Sequence, residues 1–317
     1  MIQELEPRFV NCELVQHPES LAMVTTTFYK QWFDGDSDVT NTDKIRGDLA
    51  LRTIQKAANL GHQVVVVDGS PAESPFYSAV RKFIEIKVVN EDKEHQGMDP
   101  SRQYGFELAS RLSGVKVIAW IEPEKESMAT RGCLWPAVLA VLDGTYDLVI
   151  PARDTEAFAT YPPYQTDYEK RANTRFNSIL RMSGLLKPDD IDLDAWFGPR
   201  VFSKALLPYF MGRYDFRKDV KSEAIVELYK HIKPGNYNSA TFFPIIRALS
   251  DDKKVGNLII PYRHPKTQTE SETNDPIMQE KRHAQYMNIV TACLHYVRYL
   301  TEERIPTNNP KSRIIPH

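Results

Sequence analysis

Two carboxylates, Glu122 and Glu124, stand two residues apart where the apolar run VKVIAWI (115–121) breaks into Glu-Pro-Glu-Lys. Carboxylate oxygens suit a hard divalent cation such as Mg²⁺ or Mn²⁺, which is often bound to substrate phosphates as well. A charged turn capping a core strand is the plainer reading of the same residues. Asp68 follows a second apolar run, QVVVV (63–67), within Asp68-Gly69-Ser70-Pro71. An acidic residue there is placed to accept hydrogen bonds from a base or a ribose, although Asp-Gly is also an everyday turn. Arg102 falls in the first turn of a helix that Asp99 caps and Pro100 opens, a natural anion site and equally a solvated helix start. Thr25, Thr26, Thr27, Phe28 and Tyr29 close the first apolar run with hydroxyls and rings, residue types common in strands anyway.

These residues are positioned by an alternation of buried strands and amphipathic helices. Short β-branched runs over 21–28, 63–67, 85–89, 115–121 and 146–151 read as strands buried on both faces. Between them, helices are predicted over 43–60, 74–84, 100–112 and 127–143, the first capped by Thr42 and ended by Gly61. The alternation predicts an α/β fold with a three-layer, mostly parallel sheet and right-handed crossovers. Its ligands belong at the carboxyl edge, where Ala152-Arg153-Asp154 again brings charge. The second half reads as helical: a long helix within 160–182, a short aromatic stretch at 192–200, and helices over 203–212, 219–232, 239–250 and 276–302. One strand, 255–260, lies among them and ends in Pro-Tyr-Arg-His-Pro. The expected division is a lead-in over 1–20, a ligand-binding α/β half over 21–155, a cleft-closing half over 156–302 and a tail over 303–317.

Of the 317 residues, 42% are hydrophobic and 26% charged, and the net charge is −2. That balance counts against a nucleic-acid or anionic-membrane binder. Three widely spaced cysteines, Cys12, Cys133 and Cys293, show no metal spacing and suggest a reducing compartment. The acidic start MIQELEPRFV lacks the apolar core of a secretory signal, and no run approaches 18 apolar residues, so a cytoplasmic protein without a membrane span is expected.

In order and spacing, TTTFY, VVVVDGSP, QGMDPSRQYGFELA, WIEPEK, VIPARD, YPPYQTDYEKRAN, AWFGPRVF and PYRHP resemble the GT-A glycosyltransferases that use nucleotide-diphosphate sugars. Within that class the chain more nearly resembles enzymes such as mannosylglycerate synthase and glucosyl-3-phosphoglycerate synthase, and the likeness spans roughly residues 20–300. It implies a nucleotide pocket lined by Thr25, Thr26, Phe28 and Tyr29, with Asp68 on the base. Arg102 would face the diphosphate or donor sugar. Glu124 would take the place of the last aspartate of the family's Asp-x-Asp, with Glu122 beside it, and His264 would complete the metal site. Here the motif reads Glu-Pro-Glu, and Lys125 follows it, a fixed charge that could take over part of a Mn²⁺ or Mg²⁺ ion's work. Asp154, with Glu156, is the candidate base should the reaction invert configuration; the resemblance favours retention. The partners implied are a nucleotide-diphosphate sugar, with glucose or mannose the expected sugar, and an unspecified acceptor; a homodimer is compatible with this. Two other readings are a sugar-phosphate nucleotidyltransferase, disfavoured because TTTFYKQWF lacks the glycine-rich loop such enzymes carry, and a non-catalytic nucleotide-sugar binder.

Overall fold

A computed structural model describes residues 18–304, apart from 37, 39, 84–85, 213–237 and 274. The expected helix over 219–232 lies outside the described residues. One seven-stranded sheet runs through the protein: β1 (Leu21–Thr27), β2 (Gln63–Asp68), β3 (Lys87–Asn90), β4 (Val117–Trp120), β5 (Leu148–Arg153), β6 (Arg200–Ser203) and β7 (Val255–Ile260). Across the sheet they stand in the order β3-β2-β1-β4-β6-β5-β7. All pairings are parallel except those of β6, which runs antiparallel between β4 and β5.

The apolar runs are continuous because both faces of the sheet are covered. Successive residues of each strand feed opposite cores. Ala22, Val24, Val65, Ile118, Trp120 and Phe202 pack on one face. Leu21, Met23, Val64, Val66, Val117 and Val201 pack on the other. The second face carries α1 (Thr42–Asn59), α2 (Pro75–Val80) and α4 (Arg131–Leu142); the first carries α3 (Met98–Ser110). Beyond β5 come α5 (Thr155–Ala159), α6 (Pro163–Met182), α7 (Leu207–Phe210), α8 (Phe243–Ser250), α9 (Lys266–Glu272) and α10 (Pro276–Arg304). The last of these packs along α6.

Three sequence expectations change. The stretch 192–203 contains a strand, β6: its four residues open on Arg200 and are too few to show a period. The helix expected over 203–212 shrinks to a 3₁₀ turn, Lys204–Leu206, and the single turn of α7. The loop after β7 folds into α9, which its polar sequence KTQTESE conceals.

Because four strands run parallel into one edge, Thr27, Asp68, Trp120 and Arg153 all end there. Close approach of α3 to the sheet places Arg102 at that edge. Gly105 allows the approach: a Cβ there would stand 2.5 Å from Val24 Cγ1. Gly105→Ala should therefore overpack this contact and cost about 1–3 kcal/mol. Urea unfolding should show a lower midpoint with an unchanged slope.

Candidate active site

The strand that ends in Trp120 continues one residue further, with Ile121 N–H donating to Val24 O at 3.0 Å. It then turns sharply, closed by Lys125 N–H to Glu122 O at 3.0 Å. This turn sets Glu122, Glu124 and Lys125 in the wall of a cleft of about 430 Å³. Each charge on it is matched. Lys125 Nζ lies 2.9 Å from Glu122 and 3.3 Å from the Tyr161 hydroxyl, over the rings of Phe197 and Tyr262. Burial disfavours its ammonium, but Glu122 offsets this and raises its pKa. Burial likewise works against the Glu122 carboxylate, and Lys125 holds its pKa below the ordinary value. Glu124 Oε1 accepts from Tyr29 Oη at 2.7 Å and from Arg46 Nη2 at 2.6 Å.

Arg46 comes from α1. From the far side, α10 adds Lys281 and Arg282, and α3 adds Arg102, whose guanidinium lies 4.5 Å above the Trp120 ring. Phe28, 55% exposed, stands at the rim with Lys30 Nζ 4.9 Å from its ring centre. A second lobe of about 120 Å³ shares Arg46, Arg102, Trp120, Lys281 and Arg282 and adds Trp196, Arg200 and Glu272.

His264 is 6% exposed and faces the cleft. The Thr269 hydroxyl donates to Thr160 O at 2.7 Å, so the 2.8 Å contact between Thr269 Oγ1 and His264 Nδ1 assigns the ring proton to Nδ1. The lone pair is then on Nε2. Burial, followed by the charge of Lys125, depresses the His264 pKa well below its ordinary value and keeps the ring neutral. A neutral imidazole oriented through its other nitrogen is the form that ligates metals. Among the described residues no group of three or more His, Cys, Asp or Glu converges. Glu124 and His264 both line the cleft, and in the empty cleft Glu124 Oε1 is held by Tyr29 and Arg46.

The structure brings together Thr26, Phe28, Tyr29, Arg102, Glu122, Glu124, Lys125 and His264. It does not bring in Thr25, Asp68 or Asp154. Thr25 is fully buried within β1. Asp68, also fully buried, accepts from Ser70 N–H at 3.0 Å, and Ser70 Oγ accepts from Tyr29 N–H at 3.0 Å. Asp68 therefore shapes the loop that presents Tyr29, and Gly69 takes its place in the wall. Asp154 caps α5 through Ala157 N–H and reaches Arg263, with Glu156 paired to the same arginine outside the cleft. Sequence reasoning passed over Arg46, Trp120, Gln165, Gln268, Lys281 and Arg282. The one signal available was the adjacent Lys281-Arg282 pair on an otherwise mixed helix.

No family model and no curated protein sequence matches the chain. Solved structures do. Glucosyl-3-phosphoglycerate synthase from Mycobacterium tuberculosis, in complex with Mn²⁺, UDP and glucosyl-3-phosphoglycerate, superposes with a TM-score of 0.53 at 11% identity, over 92% of this chain and 86% of that one. The same enzyme with Mn²⁺, UDP-glucose and phosphoglyceric acid gives 0.53 at 11% identity, over 93% and 86%. The chain has the GT-A fold. Mannosyl-3-phosphoglycerate synthase from Rubrobacter xylanophilus is similar at a TM-score of 0.48 and 11% identity, over 90% and 76%.

Gly198, at φ +103°, lies against Glu122: a Cβ there would meet its carboxylate at 2.8–3.0 Å. Gly198→Ala should displace Glu122 from Lys125 and strain the backbone, costing about 1–3 kcal/mol. Chemical denaturation measures the loss, and a crystal structure of the variant should show the Glu122–Lys125 pair broken.

Proposed function

We propose that this protein is a hexosyltransferase that moves a sugar from a nucleotide-diphosphate donor to a small hydroxyl-bearing acceptor, with retention of configuration. The observation that carries the reading is the strand-end cleft, where five cationic side chains face three carboxylates beside an exposed aromatic ring. A nucleotide-diphosphate leaving group gains negative charge as the glycosidic bond breaks, and fixed cations stabilise it without reorganisation. UDP-glucose and GDP-mannose are the donors favoured. Glucosyl-3-phosphoglycerate synthase was solved with UDP-glucose, Mn²⁺ and phosphoglyceric acid, which supports a sugar nucleotide here and suits a small anionic acceptor.

In this reading Phe28 stacks on the base, Thr26 and Tyr29 border the nucleotide, and Arg102 and Lys125 approach the diphosphate and donor sugar. Glu124 and His264 hold a divalent ion, Mn²⁺ or Mg²⁺, which when bound acts as a Lewis acid on the leaving diphosphate. Asp68 acts at one remove, by holding the Ser70–Tyr29 loop. The second lobe takes the acceptor. No helix among the described residues is long and apolar enough to cross a membrane, and we place the reaction in the cytoplasm. A non-catalytic binder would share the donor site but would not cleave the donor.

Calorimetry with UDP-glucose and GDP-mannose, with and without Mn²⁺, tests the reading. Binding of one donor and its slow hydrolysis are expected, and no binding to any UDP-, GDP- or ADP-sugar would sink it. Glu124→Ala and His264→Ala should each abolish the response to Mn²⁺, and the double variant should be little worse than either. The sign of the pH effect follows from His264. Its depressed pKa keeps Nε2 unprotonated below pH 6.5, so Mn²⁺ affinity should stay level between pH 8 and pH 6. An ordinary histidine would already lose affinity there.

Asp68→Ala should weaken nucleotide binding about tenfold to a hundredfold, roughly the worth of a charged hydrogen bond. Because Asp68 acts through the loop, Ser70→Ala should reproduce part of that loss. Unchanged affinity in a folded Asp68→Ala protein would make it a turn residue alone.

A further inference from the structure

Arg46, Lys281 and Arg282 face both lobes of the cleft, although they come from helices at opposite ends of the chain. Two of them keep a buried donor without a partner. Arg46 has Glu124 at 2.6 Å through Nη2, while its Nε is buried with no hydrogen-bond partner. Arg282 reaches Gln285 Oε1 at 3.3 Å and Glu169 only at 4.0 Å through Nη1, and its Nε is likewise buried and unpartnered. Partial removal from water, then the charges of Arg46 and Arg282, pull the Lys281 pKa below its ordinary value. Three like charges from α1 and α10 thus converge on the cleft wall, and carboxylates, Glu124 beside Arg46 and Glu169 nearest Arg282, offset the burial of the two arginines. Buried N–H groups that lack partners carry a desolvation penalty of their own.

The balance of the whole cleft has the same sign. The five cationic side chains of its wall outnumber its three carboxylates by two. The esterified diphosphate of a nucleotide sugar carries two negative charges. Its non-bridging oxygens are the acceptors that two free guanidinium N–H groups and an ammonium require.

We propose that Arg46, Lys281 and Arg282 form a fixed anion site that holds the donor's diphosphate, so that the nucleotide binds without a divalent ion. This deepens the sugar-transferase reading and rests on it for the identity of the ligand. Arg46 has a second part in the cluster. It neutralises Glu124 in the empty cleft and turns to the diphosphate as the donor enters, freeing the Glu124 carboxylate. Ion and nucleotide then assist each other, although neither requires the other.

Inorganic pyrophosphate is the probe, with calorimetry in EDTA. The native chain should bind it. Lys281→Ala should lose about tenfold in affinity and Lys281→Ala/Arg282→Gln about a hundredfold, as for one and two charge-assisted contacts. Lys56→Ala, which removes a cation paired with Glu126 outside the cleft, should leave affinity unchanged. Circular dichroism controls for folding. Lys281 is exposed on its helix, so the single variant remains informative if the Arg282 change, which loosens the contact with Glu169, unfolds the protein. No pyrophosphate binding in EDTA, or equal binding by native and Lys281→Ala protein, overturns the proposal. If pyrophosphate binds through the cluster while no nucleotide sugar binds at all, the anion site stands and the sugar-transferase reading falls.

Discussion

Charge gathered at the end of β4 must be compensated where it stands, and much of the site follows from that constraint. Glu122, Glu124 and Lys125 emerge from a fully buried strand into the wall of the cleft. An uncompensated charge in such a place costs several kcal/mol. Within the turn, Lys125 satisfies Glu122 across three residues. Glu124 cannot be satisfied locally, so it draws Tyr29 from the β1 loop and Arg46 from α1. These contacts tie three segments of the first half to one carboxylate. They also place a guanidinium directly against the Glu124 carboxylate.

A second buried network does the same for the other half. Arg153, at the end of β5, bonds Asp194 through Nε at 2.9 Å and Nη2 at 2.8 Å, and pairs with Glu169 of α6. Asn173 adds a 2.6 Å bond to Asp194. Breaking such a network by removing one partner leaves a buried charge, which makes its geometry restrictive even if its net contribution to stability is small. It fixes α6 against the sheet, and α6 in turn carries α10, the source of Lys281 and Arg282. The two halves of the chain also share the sheet itself, since β6 and β7 complete it beside β4 and β5.

The strand-end chemistry was legible because it is local. Glu122, Glu124 and Lys125 follow an apolar run whose burial and direction a periodicity argument recovers, and a parallel sheet puts such ends on one edge. The same rule does not put Asp68 and Asp154 in the cleft wall. Each is at or just beyond a strand end, but side chains alternate across a strand, and one residue decides between facing the cleft and facing the loop beneath it. Asp68 turns inward to Ser70, and Asp154 turns to its own helix as a cap. Arg46, Lys281 and Arg282 left no comparable mark, because arginine and lysine on a helix ordinarily mean a solvated face.

What the sequence determined by itself was the alternation of elements, the mostly parallel character of the sheet, the edge at which the cleft lies and the acidic turn there. Those are set by hydrophobic periodicity and by chain direction, both local properties. What only the tertiary structure decided was the sign of the cleft. Two carboxylates read in isolation describe an anionic, cation-seeking site. The fold brings cations from α1, α3 and α10 around them and makes the same place positive. Electrostatic character depends on which distant residues are packed within a few ångströms, and no sequence window contains that distance.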